Sequence, residues 1–157
     1  MAASNSSGVG IKAALLLTWL ITLTGGVALI GAVGALSADA GSPLPAPYKL
    51  AWTAISLEVA SLLVALYALV IGPFSHWKQS VLAMLAMVTA VLVPITNDVN
   101  NAKGALPGSN GSDTRAIVAV AGLTIVMIGN LLLVLLSSQH GNEAAPASQP
   151  ASGKDMA

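Results

Sequence analysis

An acidic side chain inside a long apolar run is the first candidate for chemistry in this sequence. Glu58 is the one charged residue between Leu50 and Ile71. A charged side chain at the centre of a bilayer costs about 2.5–3.5 kcal/mol or more, so Glu58 should face a bundle interior or water. Hydrocarbon disfavours charge, and the carboxyl is therefore expected to be protonated and neutral. Two roles fit it: a proton or solute site, or a hydrogen bond that joins helices.

Thr124 is the predicted partner of Glu58 in a candidate intramembrane polar site. Each lies eight residues into its apolar run, which puts both about 12 Å below the side of the first loop. Asn130 lies six residues before the end of its run at Leu136, about 9 Å from the opposite side. That difference in depth predicts that Asn130 does not pair with Glu58 and forms an interhelix hydrogen bond elsewhere.

A second polar cluster follows the third apolar run. Asn97 and Asp98 lie in the segment Thr96-Asn97-Asp98-Val99-Asn100-Asn101, shortly after Pro94. Proline removes a backbone hydrogen bond, so a broken helix end lined by amide and carboxyl groups is one interpretation. Such an end is a candidate vestibule for a solute. The other interpretation is the ordinary polar exit of a membrane span.

The rest of the sequence offers little for catalysis or cofactor binding. It contains no P-loop, dinucleotide fingerprint, nucleophile elbow or zinc-protease motif, so no catalytic residue, metal site or cofactor is predicted. The absence of Cys excludes disulfides and thiolate metal sites. A formal net charge of zero argues against nucleic acid as a partner. We expect no enzyme activity.

These side chains must be positioned by elements that suit hydrocarbon. Apolar residues make up 55% of the chain and charged residues 8%, against about 25% charged in soluble domains. Runs of about 20 apolar residues cross a bilayer as helices. The sequence predicts an all-α membrane protein, a four-transmembrane-helix bundle with short loops. Its predicted parts are an N-terminal tail (1–12), a transmembrane domain (13–138, with spans at 13–36, 50–71, 77–98 and 116–136) and a disordered C-terminal tail (139–157).

The orientation in the membrane rests on weaker signals. Three Lys or Arg residues fall on each side, so the positive-inside rule does not decide. A glycosylation sequon at Asn110 favours the longest loop outside, and a second at Asn5 points the other way. We predict a plasma-membrane protein with cytoplasmic termini. Residues 37–40 resemble a signal cleavage site, but the first run is longer than a signal peptide requires and is interpreted as a span.

Small residues indicate where helices approach closely. Gly25, Gly26 and Gly31 in the first run, together with Asn130, are predicted to form interhelix packing contacts. Such residues serve either the packing of one bundle or the seam of an oligomer, and both remain open.

The layout resembles the small four-span plasma-membrane proteins of plants and green algae. These include the stress-inducible tetraspans and the low-CO2-inducible four-helix protein linked to inorganic carbon uptake. The stretch His76-Trp77-Lys78-Gln79-Ser80-Val81-Leu82-Ala83 is similar to the basic and aromatic entry of the third span in the stress-inducible group. The resemblance covers residues 13–136 as a plan and carries over no functional residue.

Two functions follow as expectations. The first is an accessory, scaffolding or membrane-organising tetraspan, with a dry bundle and a protonated Glu58. The second is a channel or uptake protein for a small solute such as inorganic carbon, with water reaching Glu58. The expected partners are the lipid bilayer and either a second copy of the chain or other membrane proteins.

Overall fold

Four α-helices make up the part of the chain that the computed structural model describes, residues 4–40, 46–71, 74–102 and 112–139. They are α1 (Ser4–Ala40), α2 (Ala46–Val70), α3 (Phe74–Ala102) and α4 (Ser112–Gln139). All four are long and apolar enough to cross a membrane. The predicted four-helix membrane bundle is therefore confirmed. The predicted disordered tail, from residue 140 onward, and the sequon at Asn110 lie outside the described residues.

The helices are longer than the apolar runs that predicted them. α1 begins at Ser4, inside the predicted N-terminal tail, and its 37 residues extend for about 55 Å. α3 does not break at Pro94 but continues through Asn97 and Asp98 to Ala102. The length of an apolar run indicates which part of a helix is stable in hydrocarbon. Backbone hydrogen bonds extend the helix beyond that run into polar sequence. Of the two interpretations of Asn97 and Asp98, the broken helix end is therefore not formed.

The helices form a ring in chain order. Within the described residues, α1 packs against α2 and α4, and α3 packs against α2 and α4, while the diagonal pairs make no backbone approach. Buried residues follow a spacing of three and four, the pattern of left-handed helix packing. On α1 this series includes Leu15, Thr18, Thr22, Gly25, Leu29, Ala32 and Leu36; on α3 it includes Val81, Leu85, Val88, Leu92, Ile95 and Val99.

The bundle interior contains two hydrophobic clusters, one towards each end. One cluster lies in the half of the bundle next to the first loop. It includes Leu29, Leu92 and Leu123, none more than 2% exposed. The cluster at the opposite end includes Leu15, Leu85 and Leu133, none more than 1% exposed. Tightly packed apolar side chains thus fill the core on both sides of its middle.

Glycines bring α1 and α4 into the closest packing of the bundle. A methyl group on Gly122 would lie 3.0 Å from the carbonyl oxygen of Gly25, and one on Gly129 would overlap the hydroxyl of Thr22. Close backbone approach is how small residues join helices in lipid. Gly26 and Gly31 differ from the expectation, because no described atom lies within 4 Å of the place a methyl group would take. They face away from α4, and Gly25 alone of the three predicted glycines packs against it.

Candidate functional site

A hydrogen bond crosses the diagonal of the bundle between α2 and α4. The side-chain amide Nδ2 of Asn130 donates to Oε2 of Glu58 over 2.8 Å. Both residues are buried, Glu58 at 2% exposure and Asn130 at 0%. The two helices are not neighbours in the ring, so the side chains meet across the bundle centre. A polar pair therefore lies between the two hydrophobic clusters.

Two predictions about the partner of Glu58 were wrong: that Thr124 pairs with it, and that Asn130 does not. Thr124 is exposed on the outer face of α4, and its hydroxyl donates to the carbonyl oxygen of Val120 over 2.8 Å. Asn130 reaches Glu58 because depth counted from the ends of the apolar runs does not give the axial level of a residue. Glu58 lies twelve residues before the end of α2 and Asn130 nine before the end of α4, a difference of about 4.5 Å. The Glu58 side chain spans that difference.

The second oxygen atoms of the pair have no partner. Within the described residues, Oε1 of Glu58 and Oδ1 of Asn130 are buried and make no hydrogen bond. An ionised carboxyl has only acceptors, and a buried acceptor without a donor costs free energy. A proton on Glu58 turns one of these acceptors into a donor. The arrangement therefore suits a neutral carboxyl–amide pair that holds one proton at the bundle centre.

Two tryptophans tie α1 to α2 on either side of Glu58. The indole nitrogen of Trp19 donates to the carbonyl oxygen of Leu62 over 2.9 Å. The indole nitrogen of Trp52 donates to the hydroxyl of Ser37 over 3.1 Å. Neither bond was predicted from the sequence. Buried indole nitrogens usually find an acceptor, and that is the signal that points to them.

The two candidate vestibule residues do not share a cavity. Asp98 lines a cavity of about 90 Å³ between α1, α2 and α3, next to Tyr48 and Ala51. Asn97 lines an open groove between α3 and α4, together with Val120. Because α3 stays helical here, consecutive residues point about 100° apart around its axis. The structure therefore separates a pair that the sequence placed together.

Charged residues join the helix ends at both sides of the bundle. Arg115 at the start of α4 forms an ion pair with Asp39 at the end of α1. At the opposite end, the ammonium of Lys78 on α3 donates to the carbonyl oxygen of Ser138 over 2.8 Å. A cation next to the last carbonyl groups of a helix also interacts favourably with the helix dipole. Lys78 thus connects the start of α3 to the end of α4.

Comparisons of the chain with protein-family models, with characterised proteins and with solved structures gave no match.

Proposed function

We propose that this protein is an accessory tetraspan of the plasma membrane, with cytoplasmic termini, that associates with other membrane proteins or organises the bilayer around them. The observation that carries the proposal is the Glu58–Asn130 hydrogen bond across the bundle centre. It joins diagonal helices at the point where a solute path along the bundle axis would run. The apolar clusters on either side of this bond contain fully buried leucines, among them Leu123 and Leu85.

The lipid-facing surface is where such a protein would make its contacts. Each helix presents large apolar side chains to the outside, including Leu17 on α1, Leu63 on α2, Met87 on α3 and Leu132 on α4. Their exposed fractions, from 44% to 61%, are far above those of the core. With a closed interior, the activity of the protein depends on what binds this outer surface. The resemblance to stress-inducible tetraspans fits the same role.

Site-specific photo-crosslinking in native membranes tests the proposal. A photoreactive amino acid replaces Leu17, Leu63, Met87 or Leu132, one at a time. We expect one or two of the four positions to crosslink a discrete protein partner, because a specific partner covers one face of the bundle. Crosslinks to lipid alone from all four positions would contradict an association with proteins.

The second candidate is an uptake protein for a small solute such as inorganic carbon, and one observation favours it. The cavity at Asp98 lies at the end of the bundle next to the first loop, where the entrance of a solute path would be expected. Purified protein in liposomes distinguishes the candidates through the flux of labelled bicarbonate and of glycerol. The accessory role predicts the flux of protein-free liposomes. Uptake predicts a higher flux that Glu58→Gln abolishes in a protein that still folds.

A further inference from the structure

A cleft between α1 and α2 leads from the bilayer side of the bundle to Glu58. It is narrow, with a volume of about 30 Å³, and is lined by Gly26, Val27 and Ile30 of α1 and by Ile55, Glu58 and Val59 of α2. Val27 and Val59 are exposed on the outer surface, at 61% and 41%, whereas Glu58 is 2% exposed. The rim of the cleft therefore faces lipid, and the carboxyl lies at its inner end.

The fold itself keeps this cleft open. The glycine contacts draw α1 towards α4, its other neighbour in the ring, rather than towards α2. The Trp19 and Trp52 hydrogen bonds hold α1 and α2 together on either side of the cleft. Between them, Gly26 offers no side chain to fill the space, and no described atom lies within 4 Å of where its Cβ would be.

The polar chemistry of the cleft comes from one carboxyl. Oε2 of Glu58 accepts the hydrogen bond from Asn130, while Oε1 is buried without a partner in the described part of the chain. Glu58 is among the residues that line the cleft, whereas Asn130 is not. When Oε2 is the carbonyl oxygen of a neutral carboxyl, Oε1 bears the proton and is a hydrogen-bond donor. Such a donor needs an acceptor.

From these contacts we propose that the α1–α2 cleft is a lateral binding site, which receives from the bilayer the hydrogen-bond acceptor of an uncharged molecule whose apolar body lies along the lipid-facing rim. The apolar walls exclude a charged ligand because its desolvation would not be repaid. The opening towards lipid makes the bilayer the source of the ligand. The acceptor of the ligand, an ester carbonyl for example, binds the proton on Oε1. The site does not depend on the accessory role proposed above.

Carbodiimides test the proposal because they react with protonated carboxyls. The carboxyl proton moves to one nitrogen of the carbodiimide, and the carboxyl oxygen bonds to its central carbon as one C=N π bond opens. Transfer of the acyl group from oxygen to nitrogen then gives a stable N-acylurea without a leaving group. Dicyclohexylcarbodiimide is itself apolar with a nitrogen acceptor, whereas a cationic carbodiimide stays in water. We expect mass spectrometry to find Glu58 modified by the first reagent and not by the second.

Variants establish the route of entry. Glu58→Gln should show no modification at residue 58, which sets the background. Gly26→Leu fills the cleft and should lower modification of Glu58 to that background. Gly31→Leu is the matched control, since Gly31 also has open space around it but does not line the cleft. It should be modified like the unaltered protein. Val59→Trp blocks the rim of the cleft on its α2 side. It replaces Gly26→Leu in the test if that variant does not fold.

Competition tests the acceptor. Ethyl decanoate has an apolar chain and a carbonyl oxygen, while decane has the chain alone. Ethyl decanoate should protect Glu58 from dicyclohexylcarbodiimide, and decane should not. Equal protection by both would show that the carboxyl does not select an acceptor.

Three further outcomes would overturn the site. Modification by the cationic reagent would place Glu58 in contact with water. Absence of modification by both reagents in folded protein would mean that Glu58 and Asn130 form a sealed pair. Undiminished modification in folded Gly26→Leu and Val59→Trp would mean that the reagent arrives by another route.

Discussion

Glu58 and Asn130 share a 2.8 Å hydrogen bond although they belong to helices that lie diagonally across the bundle. Two side chains thus connect α2 and α4 where no backbone contact does. The bond holds the centre of the bundle closed and brings a carboxyl to the inner end of the α1–α2 cleft. Both the accessory role and the lateral binding site proposed above depend on this bond.

The first prediction concerns the energy of this bond. Asn130→Leu leaves the Glu58 carboxyl without its partner, and we expect the free energy of unfolding to fall by about 1 kcal/mol. Glu58→Gln should cost less, because its amide oxygen can still accept from Asn130. Denaturant titration of the detergent-solubilised protein, followed by circular dichroism, measures both. In a double-mutant cycle with Glu58→Leu, we expect a coupling of about 0.6 kcal/mol. A coupling of zero would mean that the bond does not stabilise the bundle.

The second prediction concerns the α1–α4 contact. Gly129→Ala places a methyl group against the side chain of Thr22, and we expect a loss of about 1–3 kcal/mol of stability from overpacking. Gly31→Ala, at a glycine with open space around it, is the matched control and should be neutral or slightly stabilising. Adding Thr22→Gly to Gly129→Ala removes every atom in collision and should restore part of the loss. Thermal unfolding in detergent ranks the four proteins.

The third prediction concerns the Asp39–Arg115 ion pair. Its side chains are 31% and 43% exposed, so Asp39→Asn should lower stability by less than about 1 kcal/mol. The loss should shrink as salt is added, because ions screen exposed charges. Exchanging the charges, with Asp39→Arg and Arg115→Asp together, should recover stability relative to either single change. A large loss that is insensitive to salt would show that the role of Asp39 is not electrostatic.

The fourth prediction concerns the number of crossings and their direction. The chain has no Cys, so single cysteines can be introduced without background. Cysteines replacing Ala38 and Thr114 should react with an impermeant maleimide added to intact cells. Those replacing Ser75 and Ser138 should react only after the membrane is opened. The reverse pattern would invert the orientation, and labelling of Ser75 and Ser138 from different sides would contradict four crossings.

The sequence by itself determined the number of helices, their membrane-spanning character and the burial of Glu58. These follow from the transfer of side chains into hydrocarbon, a property that each residue carries wherever it stands in the chain. The apolar runs therefore located all four helices, although each helix extends beyond its predicted span at one end or both.

Only the tertiary structure decided which groups meet. The choice of Asn130 over Thr124 as the partner of Glu58 depends on the rotation of α4 and on how far it slides along the bundle. The contacts of α1 with Gly122 and Gly129 fix this rotation and this position along the bundle. They arise from packing between helices. Gly25 and Gly26 are neighbours in sequence and of the same type, yet one packs against α4 and the other leaves the cleft open. Adjacent positions on a helix face different directions, and only the assembled bundle gives each direction its neighbour.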